Sequence, residues 1–415
     1  MQMTSQEDAF FIVETLSKAG YIAYFAGGWV RDFLLKHPSD DIDIATNAPP
    51  EVVMSLFKNT VPVGIAFGIV IVVIKGHPYE VASFRRDIEY IGGRRPEKIE
   101  LSTPQEDAYR RDFTINGMFY DPLQDVIIDY VHGKEDLARG VIRTIGSPHE
   151  RFAEDRLRMV RAIRFASRFG FEMDPETQHA IQVHANTLFP AVAMERVWQE
   201  FHKMAKFPGF DFALVEMHRL GLLSVIFPAL ENLELEMIQQ RVANFKAFPK
   251  ETPTILYLME LFPNLSLKEL LQLCEYLKTS GHEGSILEFA HKGRTLLEKE
   301  EIAPEQIETP EWVKFYADRF FQAYFNTIAT GYSKEQKEEI LQRHQKRHEA
   351  LKPHIKRVVE KKPLVSAAVL QAHGILPGKK MGALMKEAEQ IAIKYDLHDP
   401  EEVIALLKQN PLWNI

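Results

Sequence analysis

The sequence predicts an α+β N-terminal portion, a mixed sheet with flanking helices, followed by an all-α remainder. Short apolar or alternating runs of strand length recur between residues 20 and 130, and a period of two sends successive side chains to opposite faces. Beyond about residue 140 these runs stop, and apolar residues recur at three- and four-residue spacing, the period of amphipathic helices. With 415 residues, the chain exceeds the roughly 100–200 residues of a typical domain, so more than one core is expected.

Residues 7–19 have helical spacing in Phe10, Phe11, Val13 and Leu16, with Gly20 as a stop. Residues 21–25 read as a strand leading into Gly27-Gly28, and residues 41–45 as a second strand. Thr46 to Pro50 marks the entry to the next helix. Residues 68–75 and 79–84 form two strands around the hairpin signal Gly76-His77-Pro78, and residues 126–130 form another. Helices are expected over 151–168, 175–186, 195–205, 212–220, 267–278, 309–329, 334–350, 364–372 and 382–395. No fixed-period repeat or low-complexity tract interrupts this order.

Composition excludes several classes. The single cysteine, Cys274, rules out an intrachain disulfide and a cysteine-based zinc cluster, which fits a reducing, cytoplasmic setting. The most apolar stretch, residues 61–74, falls short of the about 20 residues that span a bilayer, so no membrane association is expected. The net charge of −8 does not veto a nucleic-acid partner, because local clustering of basic groups decides that. No protein partner is predicted.

Asp41-Ile42-Asp43 carries the chemistry. On a strand the two carboxylates share one face while Ile42 and Ile44 share the other. Two neighbouring carboxylates repel unless a divalent cation lies between them, and oxygen-only ligands suit Mg2+. Asp41 and Asp43 are therefore the expected metal ligands and catalytic residues, with Glu80 as a further candidate. Upstream, Gly27 and Gly28 permit close approach of a triphosphate, and Arg31 offers a forked donor to phosphate oxygens. Alternatively, the glycines make only a tight turn and Arg31 pairs with Asp32. The combination points to metal-assisted nucleotidyl transfer.

This segment resembles motif A of the nucleotidyltransferase superfamily, specifically the class II branch of bacterial tRNA nucleotidyltransferases (CCA-adding enzymes) and poly(A) polymerases. Arg110-Arg111-Asp112-Phe113-Thr114-Ile115-Asn116 is similar to motif B, Asp129 to Leu137 to motif C, and Glu154-Asp155-Arg156-Leu157-Arg158 to motif D. The resemblance is close over residues 20–205 and loose afterwards. It implies a catalytic nucleotidyltransferase head (1–140), a nucleotide-selecting neck (141–205), a body (206–330) and a tRNA-contacting tail (331–415). It also puts Arg111 against the nucleotide and Asp112 near the ribose hydroxyls, with Asn116 fixing the loop or the sugar. A plainer alternative makes Asp112 a helix cap. Motif C reads as a hinge, and Glu195-Arg196, at the motif E position, as helix stabilisation.

Asp155, Arg158 and Arg161 are three residues apart, with Arg164 following, which on one helix would put all four on one face. A carboxylate beside a guanidinium presents acceptors next to donors. Cytosine and adenine both show an amino donor beside a ring-nitrogen acceptor, whereas uracil and guanine show the reverse. Asp155 and Arg158 would thus admit CTP and ATP, with a mismatch worth about 1–3 kcal/mol. Arg161 and Arg164 would orient these two or reach phosphates. The bland alternative is a solvated, salt-bridged helix face.

Departures from the family pattern are Phe67 and Ile69 for a His and a Thr, Gly117 for an alanine, and Tyr130-Val131-His132 for a Pro-Phe-Gly-like segment. Residues 84–97, with Gly92-Gly93 and four arginines, resemble the flexible loop needed for the final AMP. The basic run from Arg343 to Lys362 holds eight Lys/Arg against two Glu and is the candidate RNA-backbone contact, with a solvated helix as the alternative. The expected activity is CCA addition to the tRNA 3′ end from CTP and ATP. The rivals are an A-adding enzyme, a bacterial poly(A) polymerase, and an inactive RNA-binding homologue.

Overall fold

The computed structural model describes residues 5–37, 39–91 and 95–414, with the side chains of 87–98 and 414 outside the description. The chain forms two compact units, residues 1–243 and 244–415.

In the first unit, α1 (Ser5–Lys18) buries Ala9, Ile12, Val13 and Leu16 along one face. Then follow β1 (Ala23–Ala26), α2 (Gly28–Leu34), β2 (Asp43–Thr46), α3 (Pro50–Leu56), β3 (Thr60–Gly64), β4 (Ile69–Ile74) and β5 (His77–Ser83). The hairpin turn is Lys75-Gly76, with φ of 49° and 86°, the paired positive values that match strand twist. His77 pairs with Ile74 and Pro78 with Val73, so both belong to β5 and not, as expected, to the turn. β6 (Arg85–Ile91) and β7 (Arg95–Leu101) form a separate antiparallel ribbon. Of the expected loop 84–97, residues 92–94 lie outside the described residues.

After α4 (Pro104–Tyr109), which starts in a capping box of Thr103 and Glu106, β8 (Phe119–Asp121) and β9 (Val126–Ile128) complete a seven-stranded sheet. Its order is β3-β4-β5-β2-β1-β8-β9. Only the β2–β5 pair is parallel, with Ile44 opposite Val81, so the sheet is mixed. Ala26, Ala45, Phe84, Phe119, Val131 and Ile145 pack together in the core beside it.

The remainder of the unit is helical: α5 (Gly133–Arg139), α6 (Pro148–Glu154), α7 (Leu157–Phe169), α8 (Pro175–His184), α9 (Met194–Ala205) and α10 (Phe210–Arg219). α7 packs against both α9 and α10. Strand pairing does not wholly stop at residue 140, because Val141–Ile142 pairs in parallel with Glu172–Met173.

The second unit is helical among its described residues. The expected 309–329 helix is divided into Thr309–Ala317 and Phe321–Ile328, and the expected 334–350 helix continues through Pro353 to Val359. Near its middle, Glu300 is buried and receives Arg347, His344 Nε2 and Arg343. Burial raises the Glu300 pKa, but the His344 and Arg347 hydrogen bonds outweigh it and hold the carboxyl at about 2. No described helix is long and apolar enough to cross a membrane.

Candidate active site

The acidic edge is built by strand register. β1 ends at Ala26, opposite Asp43, the first residue of β2. Ile44 opposite Val81 brings the preceding residues, Asp43 and Glu80, alongside each other. Asp41 lies in the loop just before β2, not within the strand as expected. Its alternation still holds, since Asp41 and Asp43 are exposed whereas Ile42 and Ile44 are buried. The Asp43 carboxyl is raised to about 7, first by desolvation, then by Glu80 and Asp41, with Arg111 opposing.

Gly27 has φ 67°, and a Cβ there would lie 3.1 Å from Arg111 Nη1 and 3.9 Å from Asp43 Oδ2. Glycine thus lets Arg111 approach the acidic edge. Arg111 is anchored from behind by Asp107, which is 1% exposed. Asp107 Oδ2 accepts from Arg111 Nε and Nη2 at 3.2 and 3.0 Å, and Oδ1 accepts from Arg110 Nε and Nη2 at 2.9 and 2.7 Å. Burial raises the Asp107 pKa, but the two arginines outweigh it and hold it below the usual range. Arg111 also lies 5.0 Å over the Phe119 ring.

Asp112 does not cap a helix. Its Oδ1 accepts from the Phe113 backbone N–H at 2.8 Å and from Asn116 Nδ2 at 3.1 Å, while Oδ2 accepts from Arg161 Nε at 2.8 Å and from its Nη2. Burial opposes the charge, but Arg161 prevails and holds the carboxyl far below its ordinary value. Arg31 also differs from expectation. It is 3% exposed, donates from Nε to Asp32 at 2.9 Å and from Nη1 to Asn116, and lies over Phe165 and Phe169 at 5.2 and 4.7 Å. Burial lowers its pKa to about 10. The guanidinium expected to fork around phosphate is turned inward, with Gly28 beside it.

Residues 151–168 form two helices, not one. Asp155, at φ −145° and ψ 107°, separates α6 from α7. Its carboxylate accepts from the Leu157 N–H at 3.0 Å and pairs with Arg196 of α9 at 2.8 Å. Arg158 donates to Glu154, to the Arg151 carbonyl at 3.1 Å and to the Arg110 carbonyl at 3.2 Å. Arg161 goes to Asp112, and Arg164 to the buried Glu200 of α9. The four residues expected on one face therefore have four different carboxylate or guanidinium partners. Asp129, in motif C, accepts from the backbone N–H groups of Val131, Gly133 and Lys134, shaping the entry to α5.

Asp107, Glu154 and Glu200 were not singled out from sequence. Asp107 precedes Arg110 and Arg111 by three and four residues, and Glu154 precedes Arg158 by four, so helical pair spacing could have found them. Glu200 precedes Lys203 by three residues and pairs with it at 2.9 Å, but no local spacing points to its buried partner Arg164, 36 residues away.

In the second unit, the basic run divides. Arg343 and Arg347 reach Glu300 and Arg357 reaches Glu389, whereas Lys346, Lys352, Lys356, Lys361 and Lys362 are exposed. His354, Asp396 and His398 converge as metal-ligating types do. However, Arg357 donates to His354 Nδ1 at 2.6 Å, leaving the ring proton on Nε2, which faces Asp396 at 2.7 Å. That arrangement is a hydrogen-bonded histidine.

Residues 23–143 match the Poly A polymerase head domain, and residues 170–233 match the probable RNA and SrmB-binding site of polymerase A. A CCA-adding enzyme from Anoxybacillus flavithermus is 42% identical over 232 residues, covering 56% of this chain and 58% of that protein. One from Geobacillus stearothermophilus is likewise 42% identical, over 56% and 57%. The crystal structure of Bacillus stearothermophilus CCA-adding enzyme in complex with CTP superposes with a TM-score of 0.79 at 27% identity, covering 98% of both chains. The first unit thus carries a Poly A polymerase head domain and is similar to CCA-adding enzymes.

Sequence similarity spans somewhat more than half the length of the relatives matched. The acidic edge and the Arg110–Asn116 segment fall inside the matched head, whereas α6 and α7 lie between the two matched regions. The nucleotidyltransferase family implies a divalent metal. The donors at the edge fit one, since they are neighbouring carboxylates and so offer only oxygen ligands.

Proposed function

We propose that this chain adds CMP and AMP from CTP and ATP to the tRNA 3′ end without a template, in the cytoplasm, as a CCA tRNA nucleotidyltransferase. The observation that carries this reading is the acidic edge, where Asp41, Asp43 and Glu80 gather beside Arg111 under the glycine turn. The full-length resemblance to a CCA-adding enzyme supports it further.

Asp41 and Asp43 would hold Mg2+, which when bound supplies acidity to the attacking 3′ hydroxyl and charge for the leaving pyrophosphate. Arg111, held by Asp107, meets the triphosphate. Arg161 and Asn116 fix Asp112 near the ribose. At the α6–α7 junction, Asp155 accepts from the base amino group and Arg158 donates to the ring nitrogen, the pattern shared by C and A. Arg164, tied to Glu200, buttresses this helix. The head, neck, body and tail divide near residues 140, 205 and 330, and the exposed lysines of the run from Arg343 to Lys362 contact the tRNA backbone.

The test supplies Mg2+, CTP and ATP with tRNA lacking CCA, tRNA ending in CC, and an unrelated oligonucleotide. Three residues added to the first substrate, then a stop, is the expected result. A single A on the CC substrate without C incorporation would make it an A-adding enzyme, and long A-tails on all three a poly(A) polymerase. Asp41→Ala and Asp43→Ala should abolish incorporation while RNA binding persists. Unchanged activity in either would refute the metal assignment.

A further inference from the structure

A closed ring of polar contacts joins head to neck. On α7, Arg161 and Arg168 stand seven residues apart, two helical turns on one side. Arg161 grips Asp112, and Arg168 Nη2 donates to Asp32 Oδ2 at 3.0 Å. Within the head, Asp32 Oδ1 accepts from Arg31, Arg31 donates to Asn116, and Asn116 donates to Asp112. The circuit therefore runs Arg161, Asp112, Asn116, Arg31, Asp32, Arg168 and back through α7.

Its centre is filled. The Phe165 ring lies 5.2 Å from Arg31, 5.4 Å from Arg161 and 4.1 Å from Arg164. Phe169 lies 4.7 Å from both Arg31 and Arg168, and Arg168 also covers Phe207 at 4.4 Å. Asp32 is 5% and Asn116 7% exposed. A buried carboxylate flanked by two guanidiniums is expensive to open, because each separated charge would be stranded in a poorly solvated place. Flat guanidiniums stacked on aromatic rings also resist rotation.

We propose that Asp32 and Arg168 are positioning residues: they close a head–neck ring that fixes the spacing between the acidic edge and the base-reading α6–α7 junction. This rests on the nucleotidyltransferase reading above. Neither residue is assigned contact with substrate, metal or the reacting atoms. The head carries Asp41, Asp43 and Arg111, and the neck carries Asp155 and Arg158. A nucleotide bridging both sets pairs correctly only if the two parts keep their registry. Arg31, the motif A arginine, serves here as the hub of the ring.

The test measures CTP and ATP addition, UTP misincorporation and Tm for wild type, Arg168→Met, Arg168→Lys and Asp32→Asn. The expected result for Arg168→Met and Asp32→Asn is a KM for CTP and ATP raised on the order of tenfold. Their CTP-over-UTP preference should fall alongside, with Arg168→Lys recovering much of both. Loss of Tm alone, with wild-type KM and preference in the folded enzyme, would overturn the proposal by reducing the ring to a structural brace. Should Arg168→Met fail to fold, Asp32→Asn, which preserves shape, decides between the same two results. Wild-type protein that adds no nucleotide to any tRNA would instead defeat the function on which the proposal rests.

Discussion

Replacing Asp107 by Asn tests whether Arg111 is prepositioned for phosphate. Asn keeps the shape of the side chain but removes the charge that two guanidiniums share through four hydrogen bonds. Breaking a buried ion pair by removing one partner costs about 3–5 kcal/mol. Here Arg110 and Arg111 keep 20% and 19% of their side-chain surface in water, so solvent recovers part of that. The expected loss is about 2–4 kcal/mol, a fall in Tm of roughly 4–16 °C for a unit of this size. A freed Arg111 also samples rotamers that miss the triphosphate, so KM for both nucleotides should rise about tenfold or more. Differential scanning calorimetry and single-nucleotide addition with varied CTP measure the two effects. A variant with wild-type Tm and wild-type KM would refute the view that Asp107 holds Arg111 in place.

Glu200→Gln should be destabilising by about 3–5 kcal/mol in urea unfolding, because Glu200 and Arg164 are both buried; a wild-type midpoint would contradict this. The Asp43 carboxyl, at about 7 without metal, must lose its proton to bind a cation. Calorimetric Mg2+ affinity should therefore rise roughly tenfold per pH unit below about 7 and level off above it, and a flat profile between pH 5.5 and 7 would exclude Asp43 as a ligand. Glu300 shows the opposite sign: its folded pKa of about 2 lies below the ordinary value of about 4.3. Its contribution is present above about pH 4 and lost as pH falls towards 2, reaching about 3 kcal/mol when complete. The stability gap between wild type and Glu300→Gln should accordingly narrow as acid is added, in urea titrations from about pH 6 to pH 3.

Much of the sheet was legible because its strands are short, apolar and bounded by turn residues. The β4–β5 hairpin shows both the reach and the limit of such reading. Gly76 marked the turn, but only the register shows that Lys75 shares its positive φ and that Pro78 lies in the strand. The acidic edge was readable from alternation alone, since Ile42 and Ile44 turn inward whether or not Asp41 is formally in β2. What local pattern missed was set by distant partners. Nothing near Arg31 announces that Phe165, Phe169 and Asn116 enclose it, and nothing near residue 155 forces a helix break that an Arg196 more than 40 residues away then stabilises. Arginine was read as an exposed phosphate ligand, whereas burial against aromatic rings and carboxylates suits it equally well.

Gly27 has a genetic consequence. Single-base changes in a glycine codon produce Ala, Ser, Cys, Val, Asp, Glu, Arg or Trp, and every one of them adds a Cβ. At φ 67°, with Arg111 Nη1 3.1 Å from that atom, each such missense allele strains the backbone and crowds the arginine at the acidic edge. In a saturation library selected for growth on the protein's activity, this position should tolerate synonymous changes alone.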